Sequence, residues 1–210
     1  MQGLTNRVRH GAHNQVAHNK AVTRIIAGRF GGRRLKVPDD GTRPTSDRVR
    51  EAVFSMLDAR LDFDGMRVLD LYAGSGALGI EALSRGAASA VFVDNRRRAT
   101  TIVSANLAAV GASGVGRVVT SPVSGFLAAT APQRFDLVFS DPPYALDGID
   151  VAADLTALVA GGWLAEGGAL VLERARRAEI TWPTGWESAV ERTYGDTVVV
   201  LARPAAKENR

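Results

Sequence analysis

The sequence predicts an α/β protein built on a parallel, doubly wound sheet that ends in an antiparallel strand. Three observations predict it. From Met66 onward, short apolar runs with strand character alternate with stretches of helical periodicity, the pattern of βαβ units. A glycine-rich turn, Gly74-Ser75-Gly76-Ala77-Leu78-Gly79, follows the first of those runs at once. The last two β-prone runs are joined only by Gly195-Asp196, which makes a closing hairpin and so turns one terminal strand antiparallel.

Residues 1–21 read as a flexible leader. They hold all three histidines (His10, His13 and His18) but no nearby carboxylate, so an incidental tail fits better than a metal site. Residues 22–62 form an extension. Residues 24–27 and 33–37 are β-prone and separated by Gly28 and Gly31-Gly32, which predicts a hairpin. Arg43-Pro44-Thr45 is extended, because the residue before a proline is pushed out of the helical region. Thr45 or Ser46 then caps a helix whose core face is Val49, Val53, Phe54, Leu57 and Leu61, with Arg48, Arg50 and Glu51 on the other face. The main domain covers 63–204, with strands at 67–71, 90–93, 116–120, 136–140, 169–173, 186–194 and 197–203. Helices lie near 77–85, 96–110, 123–129 and 149–160, and Gly86, Gly111 and Gly161 stand where helix C-terminal glycines belong. Residues 205–210 are a tail.

Composition narrows the function. At 210 residues, 46% hydrophobic and 23% charged, the chain has the makeup of one soluble domain. No apolar run is long enough to cross a bilayer, and the first twenty residues lack the apolar core of a secretory signal, so a cytoplasmic protein without a membrane partner is expected. The absence of cysteine excludes disulfides, thiolate metal sites and the cysteine nucleophile of pyrimidine carbon-5 methylation. Charge is uneven: residues 1–50 carry +8 and the remainder −4. A basic arm on an acidic body is an electrostatic handle for a phosphate backbone, and Arg24, Arg33, Arg34, Arg43, Arg48 and Arg50 lie in its patterned part.

Two motifs carry the chemistry. Gly74, Gly76 and Gly79 match the G-x-G-x-x-G spacing, a turn out of a strand that lets a ligand touch backbone and opens a helix. The match alone is weak, and a packing turn would look the same. Asp70 sharpens it: a carboxylate there would face the pyrophosphate of a dinucleotide, whereas it suits the ammonium of S-adenosylmethionine. Asp94, twenty residues past Gly74 at a strand end, can accept from both ribose hydroxyls of either cofactor. The second motif is Asp141-Pro142-Pro143-Tyr144, leaving the carboxyl end of the 136–140 strand. Two prolines rigidify the bend and remove two N–H donors while their carbonyls remain acceptors. The Asp141 carboxylate and one such carbonyl can orient an exocyclic amine, and Tyr144 can stack on its base. A duplexed base cannot reach this pocket, so the target is looped out or flipped.

Residues 23 to 203 resemble the RsmD-type bacterial family that methylates the 2-amino group of a guanine in small-subunit (16S) ribosomal RNA. The resemblance is carried by Arg24-Ile25-Ile26-Ala27-Gly28, the stretch from Arg43 to Glu51, Asp70 through Gly79, Glu81 through Ala87, and Asp141 through Tyr144. It implies a Rossmann-like S-adenosylmethionine methyltransferase fold with a seven-stranded, mostly parallel sheet, one antiparallel strand and an N-terminal β-hairpin and helix that help bind RNA. It places cofactor contacts on Asp70, Tyr72, Ala73, Gly74, Ser75, Gly76, Asp94 and Asn95, and catalytic contacts on Asp141, Pro142, Pro143 and Tyr144. Thr45 joins the arginines as an RNA contact. The third main-domain strand is followed by Thr120-Ser121-Pro122 without a carboxylate, so the adenine contact falls to a backbone carbonyl or Ser121. The implied partner is 16S ribosomal RNA, naked or within an assembling small subunit, bound by a monomer. An adenine 6-amino methyltransferase of DNA or RNA and a non-catalytic assembly factor are the rival readings, and a nicotinamide enzyme is a remote third.

Overall fold

The structure, a computed structural model, describes residues 22–38, 47–178 and 181–205. A two-stranded antiparallel ribbon, β1 (Val22–Arg24) and β2 (Arg34–Lys36), precedes α1 (Asp47–Asp58). The main domain then alternates β3 (Arg67–Leu71), α2 (Ala77–Ser84), β4 (Ser89–Asp94), α3 (Arg97–Val110), β5 (Gly116–Thr120), α4 (Val123–Leu127), β6 (Phe135–Ser140), α5 (Gly148–Ala160) and β7 (Leu164–Ala175). It closes with β8 (Trp186–Tyr194) and β9 (Thr197–Pro204).

The seven strands lie in the order β5-β4-β3-β6-β7-β9-β8. All neighbours pair in parallel except β9, which runs antiparallel to both β7 and β8. The predicted seven-stranded sheet with a single reversed strand is therefore the observed one. Winding starts at β3, runs outward through β4 to β5, then returns to β6 on the other side of β3. The crevice between β3 and β6 is thus the topological switch point, where α/β sheets bind ligands.

Two cores sandwich the sheet. On one face the ribbon, α1, α2 and α3 pack through Ile25, Leu35, Phe54, Leu57, Ile80 and Val103 onto Phe92, Phe139, Val171 and Val199. On the other, α4 and α5 cover Leu71, Val93, Val138 and Leu172, with Trp163 buried at its base. Edge strand β8 is mostly exposed and carries Glu187, Glu191 and Arg192, charges that discourage pairing with another chain. No helix among the described residues is long and apolar enough to cross a membrane.

Several expectations are corrected. The first ribbon strand runs over Val22–Arg24 and ends where the prediction began it, because Ile26 and Ala27 turn their N–H groups to Glu81 instead of a strand partner, and the second is trimmed to Arg34–Lys36. Leu61 lies past the end of α1. Strand β7 starts five residues before the predicted 169, through a bulge in which Leu164 faces Phe135 while Ala169 faces Leu137. Gly161 has helical φ and its successor Gly162 takes the left-handed conformation; a Cβ on Gly161 would lie 2.7 Å from the Trp163 Nε1 atom. The proposed cap at Thr45 or Ser46, the leader and nearly all of the tail fall outside the described residues.

Candidate active site

Strand register gathers both motifs at one edge. Leu71 faces Val93 on one side and Ser140 on the other, while Asp94 faces Thr120. The residues just after these positions, Tyr72 to Gly76, Asn95, Ser121 and Asp141 to Tyr144, therefore emerge together from the carboxyl ends of four adjacent strands.

The glycine turn is held by its own strand and by its neighbour. Ala73 N–H donates to the Val93 carbonyl at 3.0 Å, Gly74 N–H to Asp94 Oδ2 at 2.9 Å, and Gly76 N–H to the Ala73 carbonyl at 2.7 Å. Gly76 begins α2 in the left-handed region, φ 76°, where L side chains are strained. Gly79 is required by packing: a Cβ there would lie 2.4 Å from Phe92 Cε1. Tyr72 is the one non-glycine residue with positive φ (57°) among those described. Its hydroxyl donates to Asp154 on α5 at 2.5 Å. Burial, then the Asp154 hydrogen bond and charge, push the Tyr72 hydroxyl pKa well up, so it stays a donor at all ordinary pH.

The predicted cofactor carboxylates are both built into the turn. Asp94 is 3% exposed; besides Gly74 it accepts from Arg96 N–H at 2.9 Å and from the Arg96 guanidinium at 3.2 Å. Asp70 is 1% exposed and accepts from Gly79 N–H at 2.9 Å. Burial drives the Asp70 pKa well above its ordinary value of 3.8; Gly79 opposes this, and the charges of Asp141 and Asp94 add to it. Three carboxylates thus converge on one crevice, a field that repels a pyrophosphate and favours a cation.

This has a measurable consequence. An Asp with a raised native pKa contributes stability below its ordinary pKa and loses it as pH rises through the native value. Asp70→Asn keeps an acceptor for Gly79 but carries no charge. The variant is expected to melt higher than the wild type at neutral pH, with the gap closing as pH falls toward 3.8. Thermal melts across that range check it.

The Asp-Pro-Pro-Tyr turn is rigid and open. Pro142 is buried, Pro143 is exposed, and the Pro143 carbonyl accepts from Leu146 N–H at 2.8 Å. Asp141 is half-buried. Tyr144 is 62% exposed, its hydroxyl 3.4 Å from Thr197 Oγ1, so its ring offers a face to a flat ligand. Ser121 donates its N–H to the Asp94 carbonyl at 3.1 Å and its hydroxyl to the Pro122 carbonyl at 3.0 Å; Asn95 is exposed beside it.

The predicted RNA residues divide. Arg24, Arg33, Arg34 and Arg48 are exposed. Arg43 and Thr45 lie outside the described residues. Arg50, expected on the solvent face of its helix, is instead 2% exposed: its guanidinium donates to Thr23 Oγ1 at 2.8 Å, to Asp47 at 3.2 Å and to the Arg24 carbonyl. It ties α1 to the ribbon and has no reach to a phosphate.

Residues the sequence did not single out individually attach the ribbon. Glu81 on α2, 0% exposed, accepts from the N–H groups of Ile26 at 2.7 Å and Ala27 at 3.0 Å, and pairs with Arg85 at 2.9 Å. Ser84 Oγ accepts from Phe30 N–H at 2.9 Å and donates to the Ala27 carbonyl at 2.5 Å. Asn106 on α3 clasps Lys36 by both its N–H and its carbonyl.

Fold and site together define a Rossmann-like methyltransferase class. The fold itself also occurs in a ribosomal protein L11 methylase from Lactobacillus delbrueckii subsp. bulgaricus, with TM-score 0.61 at 14% identity over 77% of this chain and 80% of that one. The chain belongs to the family described as conserved hypothetical protein 95, which matches residues 23–203. It is 39% identical over 186 residues to ribosomal RNA small subunit methyltransferase D of Escherichia coli (strain K12), covering 88% of this chain and 91% of that protein. The solved structure of a hypothetical protein from Thermus thermophilus is 37% identical, with TM-score 0.72 over 86% of this chain and 98% of that one.

Proposed function

We propose that this protein transfers a methyl group from S-adenosylmethionine to the 2-amino group of a guanine in small-subunit ribosomal RNA. The observation that carries the reading is the emergence of Asp141 directly after β6, the strand that pairs with β3 at the switch point where the glycine turn also leaves the sheet. The E. coli relative named as a small-subunit ribosomal RNA methyltransferase supports the substrate.

The residues fit the cofactor. When bound, S-adenosylmethionine supplies a methyl on a positively charged sulfur, and the carboxylates of Asp70 and Asp94 suit that charge and an ammonium. The glycine turn offers backbone to the methionine part. Asp94 is placed for the ribose hydroxyls, which share it with Arg96. The Asp141 carboxylate accepts one proton of the target amine. The carbonyl of Pro143 is occupied within its turn, so the second acceptor is the carbonyl of Pro142, which accepts none of the turn's backbone bonds among the described residues. Two acceptors hold the amine with its lone pair directed at the methyl, so positioning supplies much of the rate. Tyr144 stacks on the base. The guanine enters unstacked from a loop, because extrusion from a duplex adds a few kcal/mol.

Mass mapping of nucleosides from 16S ribosomal RNA, with and without the protein, tests the reading; methyladenosine as the sole product would replace it with the adenine rival. A further expectation concerns the ribbon. Neutralising Arg24, Arg33, Arg34 and Arg48 together should weaken RNA binding and flatten its dependence on salt, since each lost phosphate contact releases fewer counterions. Binding isotherms at several salt concentrations check this. Arg50→Ala should instead show as a loss of thermal stability.

A further inference from the structure

Asn106 makes contacts that no local pattern announces. It lies on α3, 1% exposed, and faces two separate parts of the protein. Toward the ribbon, its Oδ1 accepts from Lys36 N–H at 2.9 Å and its Nδ2 donates to the Lys36 carbonyl at 2.9 Å. This is how a paired strand would satisfy that residue. Toward the glycine turn, the same Nδ2 donates to the Ser75 carbonyl at 2.9 Å. One amide group therefore commits its oxygen and its nitrogen to joining strand β2 to the turn, across 70 residues of sequence on one side and 31 on the other.

The two parts joined are those assigned to different ligands. Arg33 and Arg34 on the ribbon are exposed for RNA, while Ser75 sits between the two glycines of the cofactor turn. Among the described residues, the turn's other ties run to the sheet through Val93, Asp94 and Asp70, and to α5 through the Tyr72 hydroxyl on Asp154. We propose that Asn106 is a positioning residue that couples the RNA-binding ribbon to the cofactor turn, so that each ligand raises the affinity for the other. The inference rests on the RNA and cofactor reading above. A buried amide with its partners fixed in both directions cannot follow one element without pulling on the other, because a released Nδ2 or Oδ1 at 1% exposure would find no water. A ribbon steadied by RNA steadies Lys36, and through Asn106 it fixes the Ser75 carbonyl. Thermodynamic reciprocity then requires the cofactor to tighten RNA by the same factor.

The test is calorimetric titration of the full chain with S-adenosylhomocysteine, which binds without turnover, in the absence and presence of a 16S ribosomal RNA fragment. Wild-type protein should bind it roughly tenfold more tightly with RNA present, within the range usual for coupled sites. Asn106→Asp keeps the acceptor for Lys36 N–H but loses both Nδ2 donations. It should bind each ligand alone and lose the tenfold enhancement. Asn106→Ser, which removes both Nδ2 donations without adding a charge, should also lose the enhancement, and it decides the question if Asn106→Asp does not fold. Hydrogen exchange adds a direct readout, since RNA should slow exchange at Ser75 and Gly76 in the wild type only. Wild-type protein that binds both ligands with no mutual effect overturns the coupling and leaves the function standing. An enhancement that survives in a folded Asn106 variant overturns it too, by showing that the effect bypasses Asn106. Failure of the wild type to bind either ligand overturns the function itself.

Discussion

Asp141→Ala should lower methyl transfer by at least about a hundredfold, the size of effect that removal of one preorganised electrostatic contact carries. Affinity for the cofactor should change little, because the lost interaction is with the amine as it reacts. Single-turnover rates with saturating RNA, set beside calorimetric binding of the cofactor, separate these effects. The electrostatics of the crevice add a second signature. Asp141 is one of the charges that raise the pKa of Asp70. Removing it should let Asp70 stay ionised to lower pH, so cofactor binding in the variant should persist further into acid than in the wild type. Near-normal turnover in the variant would make the Asp-Pro-Pro-Tyr turn a packing feature.

Glu81→Ala should produce the largest loss of stability, about 3–5 kcal/mol, as expected when one member of a buried ion pair is removed. The change orphans the amides of two half-buried residues, Ile26 and Ala27, and strips Arg85 of its buried partner, leaving it the exposed Asp58. Denaturant titration gives the magnitude. Hydrogen exchange gives the location, since Ile26 and Ala27 should lose protection before the sheet does. Glu81→Gln should fall between, because a carboxamide still accepts from the ribbon but turns a donor toward other donors. A variant as stable as the wild type would show that the ribbon is held by its other ties, through Ser84, Asn106 and Arg50 and its apolar side chains, without need of Glu81.

Much of the architecture is legible in the sequence because its signals are local. Strands β3 and β5 coincide with the predicted spans because Met66, Gly116 and Ser121 bound short apolar runs. The reversed last strand follows from a two-residue turn too short for any parallel crossover. The placement of the two motifs at strand ends is also readable, since each follows its strand without a gap. What escapes is what depends on distant partners. Arg50 shares the helical spacing of Phe54 and Leu57, but its charge argues for solvent; Thr23 and Asp47, which satisfy it inside, become neighbours only once the ribbon folds over α1. Glu81 stands 55 residues from Ile26, and Tyr72 82 residues from Asp154, separations at which no periodicity connects the two. Gly79 is noticed through its spacing from Gly74 and Gly76, while the closest neighbour that demands it is Phe92 on the next strand.

The way the ribbon is fastened has a consequence for how this family can change. Glu81, Ser84 and Asn106 grip main-chain atoms of Ile26, Ala27, Phe30 and Lys36, groups that nearly every amino acid presents alike. The outward side chains at 24, 33 and 34 take no part in those bonds. Drift at such positions can redraw the ribbon's outer surface while the fastening stays as it is. The outer face of the ribbon can therefore vary in side chain and charge while its attachment to α2 and α3 is kept.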